Sequence, residues 1–238
     1  MKNLSKISMC GSSSFFGLTR QTMAKDEFSL MRARMVEEQL AGRGIHDPRV
    51  LTVMGSVLRQ YFIPADDFVW AYADGPLPIG YGQTISQPYI VALMTELLAP
   101  QPTDRVLEVG GGCGYQAAVL GALAKEVHTV ELIPELAHQA GKTLSDLGYT
   151  HIHVHAGDGS LGWPETAPYN RILVAAAAPH VPQPLLDQLA EDGQLVIPVG
   201  SRKVQHLEVW KRIGKEFNCR LSLEVCFVPL RGQFGWKD

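Results

Sequence analysis

The residues most capable of chemistry lie in the run Glu108-Val109-Gly110-Gly111-Gly112-Cys113-Gly114-Tyr115, which ends one apolar stretch and opens an amphipathic one. A glycine-rich turn in that position lets backbone approach a ligand closely. A dinucleotide fingerprint requires G-x-G-x-x-G. Here the third glycine falls one place early, and Tyr115 stands where a small residue is needed, so a nicotinamide cofactor is the weaker reading. The same turn suits a nucleoside with an amino-acid tail, because Glu108 can help to hold a cationic ammonium. Glu131, followed by Leu132, lies about 20 residues beyond the first glycine, where a strand-end carboxylate accepts both hydrogen bonds of a ribose diol. In Gly157-Asp158-Gly159 an Asp that can accept from an adenine amino group is flanked by glycines that let the ring lie flat. Each piece has a plainer reading: a strand-to-helix turn, a solvated strand end, an Asp-Gly turn. Together they reinforce one another.

The elements that must position these residues follow from periodicity. From residue 105 strand and helix alternate: strand 105–109, helix 115–124, strand 127–132, helix 134–147, strand 151–156, strand 171–175, helix 184–190, strand 194–199. Such alternation predicts a doubly wound, mainly parallel α/β sheet covered on both faces. After Gly200 two strand patterns, 206–213 and 221–230, have no helix between them and predict an antiparallel hairpin at the edge, making seven strands. Upstream, Phe28, Met31, Met35 and Leu40 give an amphipathic helix over 26–40. Asp47 and Pro48 read as an N-cap and first-turn proline of a helix to about residue 58. Residues 65–87 lack a sustained period and predict a long irregular loop, of the kind that is usually functional. Ser86 and Pro88 then begin a helix through Leu98. The expected organisation is a disordered extension over 1–25 and one domain over 26–238. Within that domain, 26–100 forms a helical substrate or lid region and 101–238 the cofactor-binding core and C-terminal strands. Met23 and Met31 are alternative starts.

Composition narrows the classes. The chain has 238 residues, 46% hydrophobic, with a formal net charge of -3, so no basic field gathers nucleic acid phosphates. No apolar run approaches the roughly 20 residues that span a bilayer. Cys10, Cys113, Cys219 and Cys226 form no CxxC pair, which suits a reducing, cytoplasmic setting over a disulfide framework. His151, His153 and His155 alternate on a strand, where histidines two apart can share a metal, but no acid or cysteine stands near them in sequence. A polar edge strand is the preferred reading, and no metal is expected.

The ordered segments EVGGGCGYQAAVL, VEL, GDG, the apolar strand ending in AAAAP at 175–179, and LAEDGQLVIPVG resemble the motifs of the protein-L-isoaspartate O-methyltransferases. So do Asp74-Gly75-Pro76-Leu77-Pro78-Ile79-Gly80, the block Gly82-Gln83-Thr84-Ile85-Ser86-Gln87-Pro88, and Phe227-Val228-Pro229-Leu230 as a C-terminal strand. The resemblance spans about residues 29–231, and the GQTISQP block is its most specific part. It departs at Gly111 and Cys113, where the family usually carries hydroxyl residues, and at Ala175, where threonine is common.

The resemblance implies a Rossmann-like methyltransferase, cytoplasmic and monomeric, that uses S-adenosylmethionine to methylate the free α-carboxylate of L-isoaspartyl residues in damaged proteins. It implies Ser86 as the catalytic residue, with Ile85, Gln87 and Tyr89 beside it against the substrate. It also implies cofactor contacts from Glu108, Gly110 to Tyr115, Glu131, Leu132, Asp158 and Gly159. Spacing alone favours Ser86 as an ordinary helix cap; the resemblance favours it as a seat for the carboxylate at a helix N-terminus. A carboxylate is already ionised at neutral pH, so the absence of an obvious catalytic His or Lys fits. Residues 175–179 offer no amine acceptor, which favours an oxygen nucleophile. The alternatives are a small-molecule O-methyltransferase and a non-catalytic cofactor-binding relative.

Overall fold

The structure, a computed structural model, describes residues 25–237, with side chains from Glu27 onward; the extension expected over 1–25 falls almost wholly outside them. The elements in chain order are α1 (Lys25–Arg34), α2 (Pro48–Met54), β1 (Leu77–Gly80), β2 (Gln83–Ile85), α3 (Pro88–Leu98), β3 (Arg105–Val109), α4 (Tyr115–Gly121), β4 (Glu126–Glu131), α5 (Pro134–Asp146), β5 (Ile152–Ala156), β6 (Tyr169–Val174), α6 (Gln183–Asp187), β7 (Leu189–Gly200), β8 (Gln205–Ile213) and β9 (Glu216–Val225).

The large sheet has seven strands in the order β5-β4-β3-β6-β7-β8-β9. The first five are parallel, while β8 runs antiparallel to both β7 and β9. From β3 the chain proceeds outward to β4 and β5, then returns to place β6 on the other side of β3. The crevice beyond the C-terminal ends of β3 and β6 is therefore a topological switch point, where open α/β sheets bind ligands. Val106, Val127 and Ile152 face one hydrophobic cluster with α3, α4 and Leu144 of α5. Leu107, Val109, Val130, Ile172 and Val174 face a second cluster with Leu185 and Leu186 of α6. This period-2 partition is what alternating side-chain direction along buried strands produces.

The N-terminal part departs from its sequence expectations in three places. The single helix over 26–40 is α1 followed by a π-helical turn at Met35–Leu40. The second helix is shorter than expected: Asp47 caps it through the Arg49 amide at 2.8 Å, but it ends at Gly55. Residues 65–87 are not an irregular loop. They hold a 3-10 segment, Ala65–Trp70, and the hairpin β1–β2, whose turn residues Tyr81 and Gly82 both have positive φ. Tyr81 is not a residue that announces left-handed backbone. At the other end, Phe227 to Leu230 do not extend β9. They leave the sheet and form a parallel bridge, Ala177 with Pro229.

Candidate active site

A cavity at the switch point is walled by the glycine turn after β3, by Glu131 to Ile133 after β4, by Gly159, by Ala175 and Ala176 after β6, by Gly82 to Ser86, and by Val228 to Arg231. Val91 and Met94 of α3 and Gln116 of α4 complete it. Gln116 is fixed by donating to the Thr95 hydroxyl at 3.0 Å, which in turn donates to the Val91 carbonyl at 2.7 Å.

The turn is built by backbone demands. Gly114 sits at φ +88°, and a Cβ there would meet the Leu144 side chain at 3.1 Å, so a left-handed residue without a side chain is needed to start α4 against α5. Gly111 is required for a different reason: its φ is ordinary, but a Cβ would lie 2.3 Å from the Thr129 hydroxyl. That hydroxyl is buried and has no hydrogen-bond partner among the described residues. Thr129 thus occupies the space that a side chain at 111 would enter. The Gly112 amide donates to Glu131 Oε2 at 2.8 Å, and the Ile133 amide donates to Oε1 at 2.9 Å. These bonds aim the Glu131 carboxylate along the cavity wall and leave lone pairs for a diol.

Glu108 is the site's electrostatic anomaly. It is fully buried, and neither carboxylate oxygen has a hydrogen-bond partner among the described residues. Burial pushes its carboxyl up to about 8; the neighbouring Thr129 hydroxyl lowers it in part, and the negative charge of Glu131 adds a smaller rise. An orphaned buried acid that lines a cavity is suited to receive a cation. Glu108 for an ammonium and Glu131 for a ribose diol, set on either side of a glycine turn, therefore fit a nucleoside with an amino-acid tail. Burial pushes the Cys113 thiol up to about 11, which leaves it a neutral wall of the cavity.

Ser86 lines the same cavity, and its hydroxyl has no partner among the described residues; its carbonyl accepts from Arg59 Nη2 at 2.8 Å. It is not the helix cap that spacing favours: the N-cap of α3 is Gln87, and no side chain caps the helix. Ile85 and Ser86 both face the cavity, whereas Gln87 turns away to donate to Asp74 Oδ1 at 2.7 Å. Tyr89 lies outside the wall, under the Arg43 guanidinium at 3.9 Å from its ring centroid. Asp158 also stands behind the wall that Gly159 forms. Its Oδ1 accepts from the Ser160 amide and hydroxyl at 2.9 and 2.6 Å, and its Oδ2 accepts from the Gln233 amide at 2.7 Å.

Sequence reasoning passed over two arginines. Arg59 is completely buried; it donates to the carbonyls of Ala71 and Ser86, and its guanidinium lies 4.8 Å from the Tyr115 ring centroid. It ties the N-terminal layer to both Ser86 and the glycine turn. Arg231 reaches the cavity rim, and its side chain has no partner among the described residues. Neither lies in a recognisable motif, and only the folded chain brings them to the site.

A protein-family model described as protein-L-isoaspartate(D-aspartate) O-methyltransferase matches residues 31–235. A protein-L-isoaspartate O-methyltransferase of Methanoregula boonei is 54% identical over 87% of this chain and 95% of its own length. Among solved structures, a protein-L-isoaspartate O-methyltransferase superposes with a TM-score of 0.78 at 28% identity, over 86% of this chain and 67% of that one. A Plasmodium falciparum protein in complex with S-adenosyl-L-homocysteine superposes with a TM-score of 0.74 at 25% identity, over 84% and 98%.

Proposed function

The chain belongs to the protein-L-isoaspartate(D-aspartate) O-methyltransferase family, and from that premise we propose how the residues around its cavity divide the work. The activity is methylation of isoaspartyl carboxylates in proteins, with S-adenosylmethionine as donor and S-adenosylhomocysteine as product. The donor supplies an electrophilic methyl group on a sulfonium.

Glu131 holds the ribose diol, and Glu108 faces the ammonium of the amino-acid tail. The glycine turn and the faces of Ala175 and Ala176 allow the nucleoside to lie close to backbone. The acceptor needs no general base, since a peptide α-carboxylate has a pKa near 4 and is ionised at neutral pH. What it needs is placement. Ser86 donates its hydroxyl to that carboxylate, beside first-turn amides of α3 that have no intrahelical partner. Arg231 adds a guanidinium at the rim, where a carboxylate enters. Attack is along the line of the breaking bond, and cancellation of opposite charges is favoured where water is excluded. Asp158 supports the adenine end, either by accepting from the amino group or by holding the segment that covers it. The protein works as a cytoplasmic monomer on peptides and proteins; no helix of the described residues is long and apolar enough to cross a membrane.

The single observation that carries this reading is the unpartnered Ser86 hydroxyl lining the same cavity as Glu108 and Glu131. The test is transfer of labelled methyl to paired peptides that carry isoaspartate or aspartate at one site. Base-labile label is expected on the isoaspartyl peptide alone. Ser86→Ala should lower kcat/KM by about 10- to 100-fold, the worth of a hydrogen bond to a charged group, with cofactor affinity unchanged. Undiminished turnover would remove Ser86 from the mechanism.

A further inference from the structure

On the opposite face of the sheet from α4 and α5, four polar side chains of β4 and β5 converge where a hydrophobic core would be expected. Glu126 and His128 project from β4, His153 projects from the β5 position paired with His128, and His155 from the position paired with Val130. His128 is only 3% exposed, and its buried Nε2 has no well-directed hydrogen bond among the described residues. That atom lies 3.2 Å from Glu126 Oε1, which is itself 3.6 Å from His153 Nε2. One ligand atom from each of these three residues lies within 4.8 Å of the others. Ligands on a tetrahedral ion at bond lengths near 2.0–2.1 Å are about 3.3 Å apart, so the two short separations bracket the edge of such a polyhedron.

The surroundings are those of metal ligands. His128 Nδ1 is 3.0 Å from His155 Nε2, a hydrogen bond whose direction is set by the tautomers of the two rings. With the proton of His128 on Nδ1, the tautomer that an ion would select, His155 accepts that proton and the Nε2 lone pair is left for an ion between Glu126 and His153. Trp163 stacks on the His155 ring at 4.1 Å between centroids and locks that acceptor in place. Arg105 Nε donates to Glu126 Oε2 at 2.9 Å, which orients the carboxylate and leaves Oε1 for the cluster. His153 is half-exposed and opens the site to solvent. His151 takes no part, since its Nε2 pairs with the Gly121 carbonyl on the α4 side.

We propose that Glu126, His128 and His153 form a binding site for a divalent transition ion of the zinc class, with water as the fourth ligand. Two imidazoles and one carboxylate are a donor set for zinc, nickel or copper, not for calcium or magnesium. The ion clamps β4 to the edge strand β5. Glu126 opens β4 and Glu131 closes it, so the length of the strand, roughly 16 Å at about 3.3 Å per residue, separates the ion from the ribose-binding carboxylate. Its consequence is stability and not methyl transfer.

The test uses the chelator-stripped full-length protein without an affinity tag, titrated with Zn2+ by calorimetry and followed by thermal melting. One equivalent should bind and raise the melting temperature, because a ligand of the native state alone stabilises it. His153→Ala removes an exposed ligand at little risk to folding and should weaken Zn2+ binding by at least about 10-fold, while its metal-free melting temperature stays near the parent's. His138→Ala, a change at an exposed histidine outside the cluster, should bind as the parent does. Glu126→Gln should also lose affinity, with methyl transfer retained. No saturable binding by the parent protein would overturn the proposal, as would equal affinity in His153→Ala.

Discussion

Glu108 and Glu131 are two carboxylates on one cavity wall with opposite fates. Glu131 is paired by two backbone amides, whereas Glu108 is buried and bare. In the unfolded chain Glu108 ionises near its ordinary value of 4.5, but folded it holds its proton until about 8. Between those values the native state binds a proton that the unfolded state does not, so stability falls as pH rises through that window. In Glu108→Gln the fall in melting temperature from about pH 5 to about pH 8 should be shallower than in the parent. The same substitution should weaken binding of S-adenosylhomocysteine by about 10-fold or more, as expected when a charged hydrogen bond is lost; equal affinity by calorimetry would detach Glu108 from the ammonium. Gly111 and Thr129 are a second coupled pair. Gly111→Ala alone should lower stability, and adding Thr129→Ala should recover part of the loss, with a coupling energy of about 1 kcal/mol in a denaturation cycle. Type and spacing made Glu108, Glu131 and the glycines legible in the sequence, but not that Thr129 fills the place of a side chain at 111. That contact crosses from the turn after β3 to the neighbouring strand β4 and has no sequence signature.

The strands and helices of the core were legible because their apolar faces are buried on both sides of a parallel sheet, and such burial dictates composition. The hairpin β1–β2 was not, since its strands are short, only partly buried, and joined by Tyr81-Gly82. The covering segment after β9 was missed for a related reason: its bonds are not those of a strand. The Ala177 amide donates to Val228, the Leu230 amide donates to Ala177, and Trp236 Nε1 donates to the same Ala177 carbonyl. Asp158 and Ser160 fasten its far end through the amides of Gln233 and Phe234. Asp158→Ala should therefore weaken S-adenosylhomocysteine binding by about 1 to 3 kcal/mol. If the fastening is the cause, an analogue without the exocyclic adenine amino group loses as much affinity as the parent ligand. If Asp158 accepts from that amino group, only the parent ligand loses it.

The cavity belongs to no single stretch of chain. It takes Ser86 from the hairpin, Glu108 from β3, Ala175 from the end of β6, and Leu230 from the segment that crosses them, and its floor depends on β3 pairing with β6 across more than half a hundred residues. The N-terminal layer joins it through Arg59, whose two carbonyl partners lie on either side of the hairpin. A site assembled from such distant parts has a consequence in time. Parallel pairing between remote strands is slow, and until it is complete there is nothing for a nucleoside to bind. S-adenosylhomocysteine added to a refolding experiment should leave the folding arm of the chevron where it was and depress the unfolding arm, the behaviour of interactions made only after the barrier is crossed. An accelerated folding arm would mean that the glycine turn gathers its ligand before the sheet has closed. Otherwise, the bound nucleoside acts as a brake on unfolding and gives the newly made chain no help in reaching its fold.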